Sequence, residues 1–165
     1  MRRCIAQLKL ELEQLAARIE EMDRVIQKTA RENEACQRLT EIPVVGPVTA
    51  TALIAAVGNA SAFGKGRKLS AWMGIVPGEY STGGKQKVLG ISKRGNKYLR
   101  RLFVQGARSV LQQRHKQAPG LSNWLAQLLA RTHQNVAVVA LANKLVRMAW
   151  AVLCKNERYR APVFA

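Results

Sequence analysis

Acidic residues are scarce in most of this chain. The 165 residues include 27 Lys and Arg but only 10 Asp and Glu, for a formal charge of +17. Residues 1–41 hold eight acids balanced by eight basic residues, and between Glu79 and Glu157 there is no acid at all. An ordinary solvated surface mixes both signs of charge. The one-sided charge therefore predicts a polyanionic partner, and DNA or another nucleic acid is the commonest.

Cysteines, aromatic residues and long apolar runs are also few. The three cysteines lack metal-binding spacing, and their odd number argues against a disulfide framework. Aromatic residues make up 5% of the chain, too few for single-strand binding by base stacking alone. No signal core follows the N-terminus, and no run approaches the roughly 18 apolar residues of a membrane span. We expect a protein of the reducing cytoplasm with no membrane partner.

A heptad pattern runs through residues 1–38. Apolar residues recur at alternating spacings of three and four, at Ile5, Leu8, Leu12, Leu15, Ile19, Met22 and Ile26. This spacing predicts a long amphipathic helix whose pattern weakens after Ile26. Such a helix does not bury its apolar stripe alone. Two interpretations remain open: a coiled-coil arm that forms a homo-oligomer, or a helix folded back on its own domain.

The remainder predicts one compact helical domain over residues 39–158 and a tail at 159–165. Two prolines flank Gly46, which permits a tight turn between apolar segments. This resembles a helix-hairpin-helix, whose turn aims backbone N–H groups at DNA phosphates, with Gly46 and Thr49 as the binding candidates. An apolar hairpin in the core is the alternative.

The fold class is mainly α, with a long N-terminal coiled-coil helix followed by a compact helical domain that has a helix-hairpin-helix-like entry and a Gly-rich loop. In the central segment we predict a short helix at Leu69 to Met73, a turn at Pro77-Gly78 and a strand at Val88 to Ile91. In the last half we predict helices from Ser92 to about Arg114, from Ser122 to about Arg131 and from Asn135 to about Lys155, with a break at Pro119-Gly120.

Ser81 stands just before Gly83 and Gly84 in a loop predicted to be flexible. Glycine backbones can approach a ligand closely and offer N–H groups to an anion. Seven cations follow within twenty residues: Lys85, Lys87, Lys93, Arg94, Lys97, Arg100 and Arg101. Cations around a phosphorus atom stabilise its equatorial oxygens during attack by an oxygen. Ser81 is therefore a candidate nucleophile for a phosphodiester, and a loop that only binds backbone phosphates is the alternative.

Other catalytic groups are sparse. Glu79 is the only acid near Ser81 and a candidate general base, although an exposed turn residue is the simpler interpretation. His115 and His133 lie far apart without carboxylates nearby, so surface or capping roles are expected. Two-metal phosphoryl transfer needs clustered Asp and Glu, which the basic segment lacks. We predict no metal ligands and no cofactor in this chain.

Several separated motifs agree with one family in order and spacing. They are Gly74-Ile75-Val76-Pro77, Ser81-Thr82-Gly83-Gly84-Lys85, Gly90 through Leu102, and Gly106-Ala107-Arg108, and the segments Ile42 to Pro47 and Ala140 to Leu145 with Trp150 fit too. Together they resemble the C-terminal transposase domain of bacterial insertion-sequence elements of the IS116/IS110/IS902 type. The resemblance covers about residues 39–155.

The resemblance implies a DNA recombinase that cuts and joins element ends and targets, guided in family members by an element-encoded structured RNA. It implies a serine that becomes covalently joined to DNA. The motif places that serine at Ser81, although many relatives have a second Ser where this chain has Thr82. By proximity, Lys85, Arg94, Arg100 and Arg101 are expected to stabilise the transition state or hold the strand.

Complete family members resemble a fusion of an N-terminal RuvC-like nuclease domain, whose acids bind Mg, to a coiled coil and this domain. Here the chain begins in the coiled coil. We therefore expect a truncated or split transposase that binds nucleic acid and dimerises but recombines poorly or not at all alone. The alternatives are a non-catalytic nucleic-acid-binding module or regulator, and a pure oligomerisation adaptor.

Overall fold

The computed structural model describes residues 2–85 and 87–160 and is mainly helical, as expected. Within these ranges the elements are α1 (Arg2–Glu32), α2 (Glu34–Thr40), α3 (Pro47–Val57), α4 (Gly66–Trp72), β1 (Pro77–Glu79), β2 (Val88–Ile91), α5 (Lys97–Gln112), a 3-10 turn (Arg114–Lys116), α6 (Pro119–Leu129) and α7 (Gln134–Lys155). Of the expected tail at 159–165, residues 161–165 lie outside the described ranges.

Helix α1 confirms the long N-terminal helix but ends before residue 38. Every residue from 2 to 25 is exposed, so this stretch is not folded back on the rest of the chain. Only the last turns pack inward, where Ala30 is buried and the helix contacts α2 and α3. Asn33 interrupts the helix because its side chain accepts a hydrogen bond from the Cys36 N–H, at 3.1 Å, and so caps α2.

The turn between α2 and α3 differs from the expectation for Gly46. The positive φ falls on Val44, at 68°, whereas Gly46 is extended with φ −82° and directly precedes the proline that begins α3. Ile42 and Val45 are buried on either side of Val44 and hold it in place. A Cβ on Gly106 of α5 would lie 3.4 Å from Val44, so the glycine allows this turn to pack against α5.

The predicted strand at Val88–Ile91 is confirmed as β2, but the turn expected at Pro77-Gly78 is wrong. These residues begin β1, which pairs antiparallel with β2; Pro77 lies opposite Ile91, and Glu79 lies opposite Val88. Proline fits here because it is the first residue of an edge strand, where its missing N–H removes no ladder bond.

Ser92 does not cap the following helix, which was expected to begin there. Its N–H donates instead to the Val76 carbonyl, at 2.8 Å. Helix α5 begins at Lys97 and is capped by Asn96. The delay arises at Gly95, whose φ is +122° and where a Cβ would lie 1.9 Å from the Trp72 carbonyl oxygen. The two backbones touch at this crossing, so the chain becomes helical only after it.

Helix α6 also begins earlier than expected. Pro119 and Gly120 form its first turn rather than a break, because proline suits the first helical position. The interruption falls on the preceding 3-10 turn at Arg114–Lys116.

Helix α7 confirms the predicted last helix and lies at the centre of the core. It packs against α4 and α5, with contacts to α2 and α6, and buries residues along its length that include Leu141, Leu145 and Ala149. By length and composition alone α7 is apolar enough to cross a membrane, but half of its apolar window is buried here. It has the properties of a core helix.

Candidate nucleic-acid interface

The glycine-rich loop that contains Ser81 is the tip of the β1–β2 hairpin. Thr82 and Lys85 form an isolated bridge, and the Lys85 N–H donates to the Thr82 carbonyl at 3.1 Å. Between them Gly83 and Gly84 have φ of 59° and 75°. Positive φ at both central residues is the arrangement of a type I′ hairpin turn, which explains the glycine pair. A Cβ on either glycine would meet no atom within 4 Å, so the tip is open to a ligand.

Ser81 is exposed at the base of this tip, and its hydroxyl has a carboxylate partner. Its Oγ donates a hydrogen bond to Glu79 Oε1 at 2.6 Å, and accepts one from the Lys87 N–H at 3.4 Å. Residues two apart on an extended chain point to the same side, which brings the two side chains together. The carboxylate is therefore placed to receive the hydroxyl proton.

Two clefts extend from the hairpin toward α5. The first, the hairpin cleft, has a volume of about 510 Å³. Its lining includes Glu79 at the end of β1, Tyr80 just after it, and Lys93 and Arg94 after β2. The carboxylate that holds Ser81 therefore lies in a cleft whose other charged residues are two cations. Such a site attracts a phosphate and still contains a proton acceptor.

The second, the basic cleft, has a volume of about 540 Å³ and collects four of the predicted phosphate-binding residues. Lys93, Lys97, Arg100 and Arg101 line it, together with Ile91, Tyr98 and Val104. Positions 97, 100, 101 and 104 share one face of α5 because they are three or four residues apart. Lys93 lines both clefts and joins them into one positive surface beside the hairpin.

Arg100 differs from its neighbour in what else it does. It is half-buried, and its Nη1 donates to the Met73 carbonyl at 3.0 Å. Gly74 beside it has a φ of +71°, and a Cβ there would lie 2.8 Å from that same nitrogen. Arg100 thus holds the segment after α4 against α5, whereas Arg101 is exposed and makes no such bond among the described residues.

The other predicted binding residues lie outside both clefts. Gly83, Gly84 and Lys85 form the hairpin tip, and Lys87 immediately precedes β2. Gly46 and Thr49 are not brought to this surface: Gly46 precedes α3, and Thr49 is only 8% exposed within α3. The phosphate-binding role of this turn stays a prediction.

Sequence reasoning missed two features of the interface. Tyr98 is 50% exposed in the basic cleft, and the only signal for it was an aromatic residue between basic ones. The paired geometry of Glu79 and Ser81 depended on recognising β1, which the Pro-Gly sequence concealed. His133, by contrast, takes the expected capping role, since its Nδ1 accepts a bond from the Asn135 N–H at 3.2 Å.

No group of three or more His, Cys, Asp or Glu side chains that could hold a metal occurs among residues 2–85 and 87–160. Cys36 is buried, which raises the pKa of its thiol, whereas Cys4 and Cys154 are exposed. All three cysteines are free.

Comparison with known families supplies the decisive observation. The family model described as Transposase IS116/IS110/IS902 family matches residues 36–121, just over half of the chain. The chain belongs to this transposase family. The matched range contains the hairpin, both clefts and all of α5, so the candidate site is a feature of the transposase segment itself.

Individual transposases extend the likeness across nearly the whole chain. A probable family 20 transposase of Pseudomonas aeruginosa is 44% identical over 156 residues, which cover 94% of this chain and 46% of the relative. The transposase for insertion sequence element IS1111A of Coxiella burnetii is 41% identical over 97% of this chain and 44% of its own length. That for IS1328 of Yersinia enterocolitica is 44% identical over 84% and 41%. The chain therefore spans less than half the length of these curated relatives.

Proposed function

We propose that this transposase-family chain binds DNA along the hairpin and basic clefts and that Ser81 is the nucleophile for strand cleavage and joining. The observation that carries the proposal is the 2.6 Å hydrogen bond from Ser81 Oγ to Glu79, a residue that lines the hairpin cleft together with Lys93 and Arg94. An exposed hydroxyl with a proton acceptor and nearby cations has the parts that attack on a phosphodiester requires.

The chemical step conserves the phosphodiester bond. Ser81 Oγ attacks the phosphorus, its proton passes to Glu79, and the bond from phosphorus to one sugar oxygen breaks. The departing sugar oxygen takes up the proton that Glu79 received, directly or through water, and becomes a free hydroxyl. The fragment that carries the phosphate stays joined to Ser81 as a phosphoserine diester. The reverse attack, by a sugar hydroxyl of another strand, releases Ser81 and joins the DNA.

The cations have separate roles in this proposal. Lys93 and Arg94 lie in the cleft with Glu79, so they stabilise the charge on the equatorial oxygens during attack. Lys97 and Arg101 extend the positive surface along α5 and hold the neighbouring backbone phosphates. Lys85, at the exposed hairpin tip, supplies a further cation for a backbone phosphate beside Ser81.

The test is formation of a covalent protein–DNA adduct on end-labelled element DNA, with an intact longer family member supplied as partner. We expect an adduct that resists denaturation with the wild-type chain and none with Ser81→Ala, while DNA affinity stays within about twofold. Glu79→Gln should slow adduct formation by about 100-fold, because general-base assistance contributes 10²–10⁴.

Thr82→Ala is the matched control, since it removes the adjacent exposed hydroxyl and should leave the adduct unchanged. An adduct that survives Ser81→Ala and disappears in Thr82→Ala would move the nucleophile to the second position of the motif. Absence of any adduct with the wild-type chain would favour the non-catalytic binding module.

The exposed seam of α1 supports a homo-oligomer as part of the same proposal. Its apolar residues from Ile5 to Met22 are each more than half exposed, a state that a second copy of the helix would relieve. A structured guide RNA, magnesium bound by a RuvC-like domain and a place on the cytoplasmic nucleoid remain predictions from the family resemblance.

A further inference from the structure

A second positively charged depression lies between α4 and α7, and we call it the α4–α7 groove. It has a volume of about 880 Å³ and shares no lining residue with the basic cleft. Its five cations are Lys65, Arg67, Lys144, Arg147 and Lys155, and no acid lines it. The sequence signalled only its first part, as the basic run around residues 65–68.

The groove is built by a close approach of two backbones. A Cβ on Gly66 would lie 3.2 Å from the Arg147 Cα, so α4 begins in contact with the middle of α7. This contact places Lys65 and Arg67 beside the α7 cations. From Lys144 to Lys155 the helix rises about 16 Å. That length matches about five nucleotide steps of 3.4 Å on one strand.

The two tryptophan rings in the groove contact side-chain and backbone groups of the protein itself. Lys144 Nζ lies 4.3 Å from the centre of the Trp124 ring, and Trp150 Nε1 donates to the Phe63 carbonyl at 2.7 Å. Both indoles are only partly exposed. The groove therefore presents cations rather than open stacking surfaces, which suits contact with phosphates and not with bases.

The electrostatics of the groove are unfavourable without an anion. Burial first, and the neighbouring Arg147 second, lower the pKa of Lys144. Among residues 2–85 and 87–160, the ion pairs to acids do not include Lys65, Arg67, Arg147 or Lys155. Like charges held together at a fixed site are stabilised when a polyanion enters.

We propose that the α4–α7 groove binds a second segment of nucleic-acid backbone while the basic cleft holds the first. One protomer thereby holds two separate duplexes or strands. This inference rests on the nucleic-acid binding in the proposed function but does not depend on Ser81. The shared ligand chemistry is the sugar-phosphate backbone, whether of DNA or of RNA.

The experiment is a titration of the full chain with a duplex of about 10 base pairs at 0.1 M salt, with the number bound per chain read by calorimetry. We expect two duplexes per wild-type chain and one for Arg67→Gln with Arg147→Gln. A second pair, Lys65→Gln with Lys155→Gln, should give the same loss. Melting temperature and circular dichroism establish that each variant is folded.

The control is Arg108→Gln with Arg131→Gln, which removes equal charge from exposed positions that line neither site. It should retain two duplexes. One duplex per wild-type chain with both DNA and RNA, or two duplexes in both groove variants with both polymers, would overturn the inference. Lys97→Gln with Arg101→Gln tests the basic cleft separately: if it keeps two duplexes while the groove variants lose one, the proposed function fails at that cleft and the groove stands.

An RNA duplex of the same sequence is the second arm of the titration. Loss of one bound duplex in the groove variants with either polymer supports the inference, and the polymer that shows it identifies the natural ligand. If neither DNA nor RNA shows a groove-dependent second site, the inference is wrong.

Discussion

The N-terminal helix and the remainder of the chain expose different kinds of side chain to solvent. In α1 the charges are balanced, partly by pairs one turn apart such as Lys9 with Glu13 and Lys28 with Glu32, while apolar side chains are exposed. From residue 42 onward the helices bury a continuous apolar core, and the charged residues are mostly basic, with nineteen basic residues against two acids. Helix α1 exposes apolar side chains and the remainder of the chain carries excess positive charge. Each of these properties indicates the kind of partner that the region binds.

The contrast shows why whole-chain averages conceal function here. A hydrophobic fraction of 48% and a charge of +17 belong to no single surface. The exposed apolar seam is suited to packing against another apolar helix, and the excess of basic residues is suited to binding a polyanion. The two halves can therefore be disabled separately, and the substitutions below are chosen to do so.

The largest effect is expected in the arm. Leu12→Asn with Leu15→Asn removes two seam residues, and in a dimer each loss occurs twice. At about 2 kcal/mol for each buried leucine, the dissociation constant should rise at least 1,000-fold. Sedimentation equilibrium measures it, and melting of the rest of the chain should not change.

The chain contains a matched control for this test. Leu10 is 55% exposed on the same helix but lies off the seam, so Leu10→Asn should leave the dimer intact. Equal weakening by Leu10→Asn and by the seam variant would contradict the coiled-coil arm, and a wild-type chain that is monomeric at micromolar concentration would do the same.

The next largest effect is a loss of stability in the helical domain that leaves α1 unchanged. Gly95→Ala places a Cβ 1.9 Å from the Trp72 carbonyl oxygen at a φ of +122°, and neither backbone can yield without disrupting the start of α5. The free energy of unfolding should fall by about 3 kcal/mol or more, or roughly 10 °C in Tm. Below that temperature, association through α1 should persist.

Gly90→Ala is the comparison for this variant. A Cβ at Gly90 meets nothing within 4 Å, and its φ is not positive, so thermal denaturation should show little change. A similar Tm for the two variants would show that the crossing of backbones at Gly95 does not support the fold.

The smallest effect is a difference in stability between substitutions at two adjacent arginines, Arg100 and Arg101. Arg100→Gln loses the bond to the Met73 carbonyl and should cost about 1.5 kcal/mol of unfolding free energy. Arg101→Gln should leave stability unchanged but reduce the salt dependence of DNA binding by about one phosphate contact. Chemical denaturation measures the change in stability, and fluorescence anisotropy measures DNA binding. Equal destabilisation by both substitutions would contradict the role of Arg100 in holding the segment after α4 against α5.

Periodicity predicted the long elements well. The seam of α1 and the apolar stripe of α7 both depend on local spacing, which a single sequence records. The capping and turn positions were harder, because they depend on contacts between distant segments. Ser92 was a reasonable cap by residue type, but the crossing at Gly95 moved the helix start to Lys97.

The candidate site was only partly predictable for the same reason. Lys97 and Arg101 share a helix face, so their spacing was sufficient to group them. The grouping of Lys65 and Arg67 with Arg147 depends on packing of α4 against α7, about eighty residues away in the chain, and no local pattern encodes it. The hydrogen bond between Ser81 and Glu79 was not predictable, because it depends on β1, an edge strand whose first residue is a proline.

The interruption at Asn33 gives α1 the mechanical character of a lever. A helix of 31 residues is about 46 Å long, so a change of 10° at the joint moves its far end by about 8 Å. In the proposed homo-oligomer, the angle at Asn33 would therefore set the distance between the basic surfaces of the two copies. Replacing Asn33 with a residue that favours helix would change that proposed spacing and leave the apolar seam of α1 unaltered.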